Sequence, residues 1–478
     1  MTGRQPALTA VGGPLGRHAS ARARSWPATV GPMLVVTAAL VSLGALQRSH
    51  CVTEGWNGSD QFWHGCFSDL PALYRIGNLQ SGLGGYLATG AGAATLDQPV
   101  LTGAVMSLLG GFVPDGNVLD QTRWYFGLWA LLAAALLLLT VYLTAASRPR
   151  HVADAWLLAA SPLLVLVPLV SADTVGVALV AAGLWSWGRR QPLLAGLLLG
   201  LGVAARTYPL LVLLALVLLG VRTGRQHAVI RTLLGALAGV AAVLLLFLVA
   251  QPGAITRAYA AWWRTEAGLG SVWMVPQLLG KALPAGAVTL LAVVGIAAAC
   301  AAGAVFALGT TRRPTVAEVA LVMVAVALVT GKSFPVQASL WLLPLAALCG
   351  VRWRDHLVWV GAEAVHFAMV WLYLGGMSKA DRGLPPSWYA AFLLLRVAAV
   401  LYLAWRVWHT AAQRPGAPEP GLHAPGAGAS ARSEPVPAGT EPLAVAHGLG
   451  PDPDSDAVVD ELAGDFTDAP DRLLVRLG

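Results

Sequence analysis

The stretch ATVGPMLVVTAALVSLGAL, Ala28 to Leu46, carries no charge over a length that lets a helix rising ~1.5 Å per residue cross a ~30 Å hydrocarbon layer. Arg4, Arg17, Arg22 and Arg24 precede it. Gln47-Arg48-Ser49-His50 follow it without a small-x-small cleavage pattern, so it reads as a retained first transmembrane helix rather than a secretory leader. Similar runs recur as far as residue 408. Of the 478 residues, 56% are hydrophobic and 12% charged, with 53 glycines besides. Soluble domains hold ~45–50% apolar and ~25% charged residues, so this composition excludes a soluble fold and predicts an all-α polytopic membrane protein.

Further spans are expected at about 123–146, 153–170, 174–188, 192–205, 208–221, 229–250, 284–308, 315–331, 336–350, 356–374 and 389–408, which with the first makes about 12 transmembrane helices. Several fall short of ~17 residues, a sign of broken or partial spans that line a cavity. If the N-terminus is cytoplasmic, the short loops bearing Arg148/Arg150, Arg189/Arg190, Arg222/Arg225/Arg231, Arg312/Arg313, Arg352/Arg354 and Arg406/Arg414 all fall on the cytoplasmic side, as the positive-inside bias requires. Two long loops then lie outside, 48–122 and 251–283. In the first, Pro99 to Val113 reads as a re-entrant or interfacial helix, because counting it as a span would invert every later loop. The second holds Trp262, Trp263 and Trp273, the composition of an interfacial belt.

Charge divides the chain. Residues 1–410 hold 27 Lys+Arg against 13 Asp+Glu, whereas residues 411–478 hold 4 against 11. The expected organisation is a cytoplasmic N-terminal segment (1–27), a membrane domain (28–408) with 48–122 as its large first outside loop, and a disordered acidic cytoplasmic tail (409–478) too rich in Pro, Gly, Ala and acidic residues to bury a core. No basic run with interleaved aromatics supports nucleic-acid binding. Cys300 and Cys349 lie in apolar runs, while Cys51 and Cys66 share the first outside loop, either bridged or as two free thiols. No cysteine and histidine spacing suggests zinc, and the candidate site is read without a metal.

Ionisable groups in an apolar body are functional hypotheses because their desolvation is costly. Asp69, in Cys66-Phe67-Ser68-Asp69-Leu70-Pro71, is either a chemical group or the cap of a short helix; Asp173, in Ser171-Ala172-Asp173-Thr174, has the same two readings. Arg206 interrupts an apolar stretch and needs an anion, water or a lipid headgroup. Arg264, Lys332 and His366 join it toward the predicted outer half, together a set suited to a lipid-linked phosphate. Glu363 and His366 form one E-x-x-H pair, but a di-metal bundle would need a second copy. Arg396 is a lone cation in the last span, paired or snorkelled. No Walker loop or GxSxG elbow is present in the sequence.

Four of these motifs stand in a familiar order. Cys66-Phe67-Ser68-Asp69-Leu70-Pro71 with Gln98-Pro99-Val100-Leu101-Thr102-Gly103, then Ser171-Ala172-Asp173-Thr174 with Ala204-Ala205-Arg206-Thr207-Tyr208-Pro209, then Gly268-Leu269-Gly270-Ser271-Val272-Trp273, then Lys332-Ser333-Phe334-Pro335-Val336-Gln337 with Leu340-Trp341-Leu342-Leu343-Pro344, resemble the actinobacterial glycosyltransferase 87 family over about residues 28–408. These are polyprenyl-phosphate-mannose-dependent mannosyltransferases of the GT-C type, long catalogued as a domain of unknown function. The chain departs from the usual pattern at Ser171-Ala172, where Asn-Trp is common, at Arg206, where Lys is common, and at Asp97-Gln98-Pro99, where Tyr-Pro or Glu-Tyr-Pro is common.

The resemblance implies a GT-C fold in the cell membrane with an extracytoplasmic active site and both termini cytoplasmic. It implies Asp69 as general base, Arg206, Arg264, Lys332 and His366 as donor-phosphate ligands, and Asp173, Tyr208 and Gln337 in support. The partners would be the lipid bilayer, a polyprenyl-phosphate sugar donor and a cell-envelope glycolipid or glycan acceptor, with no cofactor. The competing class is a secondary transporter or a flippase of lipid-linked sugars, which would show paired repeats and polar groups near the midplane. A non-catalytic scaffold is a third reading.

Overall fold

The computed structural model describes residues 26–90, 93–379, 381–413 and 460–471; the expected N-terminal segment lies almost wholly outside them. Among the described residues the chain is helical, without strands. The elements used below are α1 (Trp26–Gln47), α2 (Asp69–Ile76), α3 (Val100–Gly110), α4 (Val118–Ser147), α5 (Thr174–Gly188), α6 (Pro192–Ala205), α7 (Pro209–Thr223), α8 (Gln226–Ala250), α9 (Pro252–Arg264), α10 (Ala285–Gly309), α11 (Val316–Val329), α12 (Ser339–Leu348), α13 (Trp353–Gly376) and α14 (Pro386–Ala412).

Six of them, α1, α4, α8, α10, α13 and α14, are long and apolar enough to cross a membrane. They expose apolar side chains such as Leu131, Leu237, Val249 and Leu290. An outer surface of that kind needs an apolar solvent, and the chain is a membrane protein with helices of transmembrane character. The shorter helices α5, α6, α7 and α11 coincide with expected spans but run only 14 or 15 residues. A 14-residue helix rises about 21 Å. One of the shortest need not face lipid: α11 is buried from Val316 to Ala325, with α7, α10, α12 and α14 around it. A helix that is apolar all round belongs inside.

The expected span 153–170 is not one helix. Ser161-Pro162 and Val167-Pro168 break it into short turns, including Trp156–Ala159 and Leu163–Leu166, because proline removes a backbone donor and crowds the preceding turn. The freed carbonyls find a cation instead: the fully buried Arg48 donates to Val165 O at 3.3 Å and Leu166 O at 2.6 Å, and to Gly44 O at 2.8 Å. Helix α3, over the expected Pro99–Val113 segment, has 11 residues, too few to span a bilayer, and is tied to α6 by Thr102 Oγ1 donating to Ala205 O at 2.7 Å. Helices α6 and α8 approach backbone to backbone through Gly196/Gly200 and Gly235/Gly239, where an added Cβ would collide with the opposite carbonyls.

Within the expected disordered tail, 409–478, two described stretches, 409–413 and 460–471, are folded. Helix α14 runs on to Ala412, and residues 460–471 dock on the arginine-bearing end of the bundle. Leu462 and Phe466 are buried, with Phe466 against Trp187 at 4.8 Å. Asp471 accepts from the fully buried Arg222 at 2.6 Å and from the backbone of Arg313 at 2.9 Å, while Glu461 accepts from the backbone of Arg150 at 2.8 Å. Composition missed this because two buried side chains and opposite charge suffice to hold a short segment on a body that is already folded. Asp471→Asn removes the anion facing Arg222 and is expected to cost about 2 kcal/mol, the scale of a hydrogen bond to a charged group. A detergent melt in which this variant matches the wild type would show the docking to be inconsequential.

Candidate functional site

A cavity of about 180 Å³ opens between α2, α13, the loop that follows α9 and the loop that precedes α12, with Asp69, Gln337 and His366 on its wall among Phe62, Phe67, Phe334 and Trp371. Asp69 is not the helix cap. Ser68 caps α2, its Oγ accepting from Leu70 N at 3.3 Å and donating to Leu169 O at 2.7 Å, and Asp69 N donates to Val170 O at 2.8 Å. The backbone is pinned on both sides, so the carboxylate is left for the cavity. Burial, reinforced by the negative charge of Asp173 and opposed by Arg206, pushes the Asp69 carboxyl up to about 6.

His366, 1% exposed, also lines the cavity, and among the described residues neither of its ring nitrogens has a hydrogen-bond partner. Buried polar groups are normally satisfied, so an imidazole left open on a cavity wall that also carries a carboxylate marks a place where a ligand's polar groups fit. Glu363, its E-x-x-H neighbour, is already taken. It accepts from Arg396 Nε at 2.8 Å and from Trp359 Nε1 at 3.2 Å, so its carboxylate is engaged inside the protein. Arg396, fully buried, also donates to Phe334 O and, at 3.0 Å, to Pro335 O, with its guanidinium 3.5 Å above the Phe334 ring. One cation thus fixes the loop that supplies Phe334 and Gln337 to the cavity.

The other residues expected at the site divide into two groups. Arg206 forks onto Asp173 at 2.8 and 3.1 Å and donates to Gln98 Oε1 at 2.8 Å. Asp173 further accepts from Trp341 Nε1 at 2.8 Å and from Ser171 Oγ, and Tyr208 stacks on Trp341 at 4.7 Å. Lys332 donates to Trp262 O at 2.9 Å, Trp263 O at 3.3 Å and Thr265 O at 3.0 Å, satisfying the last carbonyls of α9. These two cations are spent on internal partners. Arg264 lies in a second, roomier cleft with Asp97 and Arg257. Arg257 does not stand out in the sequence, yet among the described residues its Nε and Nη2 have no hydrogen-bond partner. Its seven-residue spacing from Arg264 on α9 was the available signal, since two turns return a helix to one face.

Comparison with known proteins yields no match: no family model, no curated protein and no solved structure is significantly similar to the chain.

Two outcomes follow from this electrostatics. Because burial raises the Asp69 pKa, the folded protein keeps a proton that the unfolded chain has lost between about pH 4 and pH 6. Stability therefore falls as pH rises through that window, and above it the ionised group costs about 3 kcal/mol. Asp69→Asn is expected to flatten this slope and to melt higher than the wild type near neutral pH; an unchanged slope would mean that Asp69 is well solvated. Glu363→Gln leaves Arg396 buried without its anion and is expected to lose ~3–5 kcal/mol, whereas replacing both by apolar residues of similar volume should lose less. Thermal unfolding of the three variants decides this.

Proposed function

We propose that the chain is an integral membrane glycosyltransferase of the GT-C type, transferring a hexose, mannose by resemblance, from a polyprenyl-phosphate donor to a cell-envelope glycolipid or glycan. The observation that carries the reading is Asp69, held by backbone hydrogen bonds on the wall of a cavity that the unpartnered His366 also lines. A carboxyl raised to about 6 is still ionised at neutral pH and is a stronger base than an ordinary aspartate. In the proposed step it accepts the proton of an acceptor hydroxyl as that oxygen bonds to the anomeric carbon. The bond from that carbon to the phosphate oxygen breaks, and polyprenyl phosphate departs with the electron pair from the opposite face, so the configuration inverts.

Positive charge for the departing phosphate is offered by Arg257 and Arg264, whose cleft includes Asp97. The next residue, Gln98, is bonded to Arg206, and Arg206 acts electrostatically on Asp69, so the cleft and the cavity are linked through the Gln98–Arg206–Asp173 chain. Arg206 and Lys332 are then positioning residues. The aromatic lining excludes water, which strengthens each of these interactions. The isoprenoid tail gives a reason for membrane residence, with the site on the extracytoplasmic face of the cell membrane and both termini in the cytoplasm.

The test is sugar transfer from labelled polyprenyl-phosphate mannose to a panel of envelope lipids by the purified protein. Transfer is expected to rise with pH through about 6, and Asp69→Asn is expected to lower it by ~100-fold or more, the range of general-base contributions. Full activity in Asp69→Asn would overturn the assignment. Uptake of a lipid-linked sugar by reconstituted vesicles, with no transfer, would favour transport instead.

A further inference from the structure

The segment between α1 and α2 carries a second cluster, which the cavity chemistry does not use. His50 Nε2 stands 2.5 Å from Asp60 Oδ2, and His64 Nδ1 stands 3.5 Å from Asp60 Oδ1. The two imidazoles stack with centroids 3.5 Å apart. One nitrogen from each ring and one carboxylate oxygen all fall within 4.8 Å of one another. A tetrahedral ion with bonds of ~2.0–2.1 Å places its donor atoms about 3.3 Å apart, so the spacing is close to that of a bound ion, but the stacked rings, 17° from parallel, must turn for their in-plane lone pairs to converge on it, and His64 Nδ1 must exchange its 3.1 Å contact with Asp60 O.

Two local features hold the cluster together. Asp60 and His64 are four residues apart around the short helix Asp60–Trp63, which brings them to one face. Cys51 and Cys66, whose sequence reading left both states open, are bridged, with Cα atoms 5.9 Å apart. His50 adjoins the first cysteine and His64 lies two residues before the second, so the bridge sets the two imidazoles side by side. Gln47 adds hydrogen bonds to His64 O at 3.2 Å and Gly65 O at 2.8 Å. The loop is therefore ordered before any ion arrives, which lowers the cost of binding one. All three side chains are partly exposed, so an ion can enter and a water can complete its shell.

We propose that His50, Asp60 and His64 form a site for a divalent transition-metal ion, with zinc the best match to two imidazoles, one carboxylate and an open fourth position. The site bears on the cavity. Phe62 belongs to the same four-residue helix as Asp60 and stacks with Phe67 at 5.4 Å and Trp371 at 6.1 Å, all three lining the Asp69 cavity. An ion at Asp60 and His64 fixes that helix and hence the aromatic wall. The geometry stands whether or not the cavity transfers sugar.

The test is titration of the metal-stripped, full-length protein in detergent with Zn²⁺ by calorimetry, repeated with Co²⁺, whose visible absorption reports tetrahedral nitrogen and oxygen ligands. About one ion per chain is expected at micromolar or tighter affinity, weakened ~10-fold or more in His50→Ala, His64→Ala and Asp60→Asn. Cys51→Ser/Cys66→Ser should weaken it as well. Because the three ligands are partly exposed, the metal-free variants are expected to melt with the metal-free wild type, which separates lost ligation from misfolding. Absence of stoichiometric binding to the wild type, or equal binding by His50→Ala/His64→Ala, would overturn the site.

Discussion

An apolar body must answer every charge it encloses, and the buried guanidinium of Arg396 shows how much structure follows from that. It meets Glu363, two carbonyls of the loop 334–335 and the face of Phe334. Arg48 does the same for the broken segment after Pro162, and Arg222 for the docked tail. Lys332 does so for the end of α9. In each case a cation satisfies backbone or carboxylate groups where helical hydrogen bonding stops. The helices carry the bulk of the bundle, and these cations set the irregular segments between them. Leaving such a charge unanswered costs more than any one apolar contact supplies.

This arrangement gives the cavity its chemistry. Cations bound internally hold walls in place, and among the described groups left without internal hydrogen bonds, His366 lines the cavity and Arg257 the second cleft. Asp69 owes its position to Ser68 and to the chain at Leu169 and Val170, a segment that is irregular because prolines forbid a continuous helix there. The same break that costs the protein one regular span thus provides the backbone on which the candidate base rests.

Much of this was legible in the chain itself. The apolar runs mark the six long helices and most of the shorter buried ones, though not α2 or α9, and Asp69, His366 and Gln337 stand out in the sequence and share one cavity in the fold. Arg206 and Lys332 were also singled out, since a cation in an apolar run is conspicuous, but a sequence does not say which anion or carbonyl it meets. Arg257 passed unnoticed in an amphipathic helix with ordinary surface charge. The His50, Asp60 and His64 cluster was hidden by irregular spacing that only the disulfide and a single helical turn bring together.

The sequence by itself determined that the protein lives in an apolar solvent and where its long apolar helices run, because both follow from hydrophobicity counted along the chain. Tertiary structure decided which helices are long enough to face lipid, which cations are spent and which stay open, and that residues 460–471 return to the bundle. Those outcomes depend on distances between residues far apart in the chain, and the free energy of a buried charge is set by its neighbours in space.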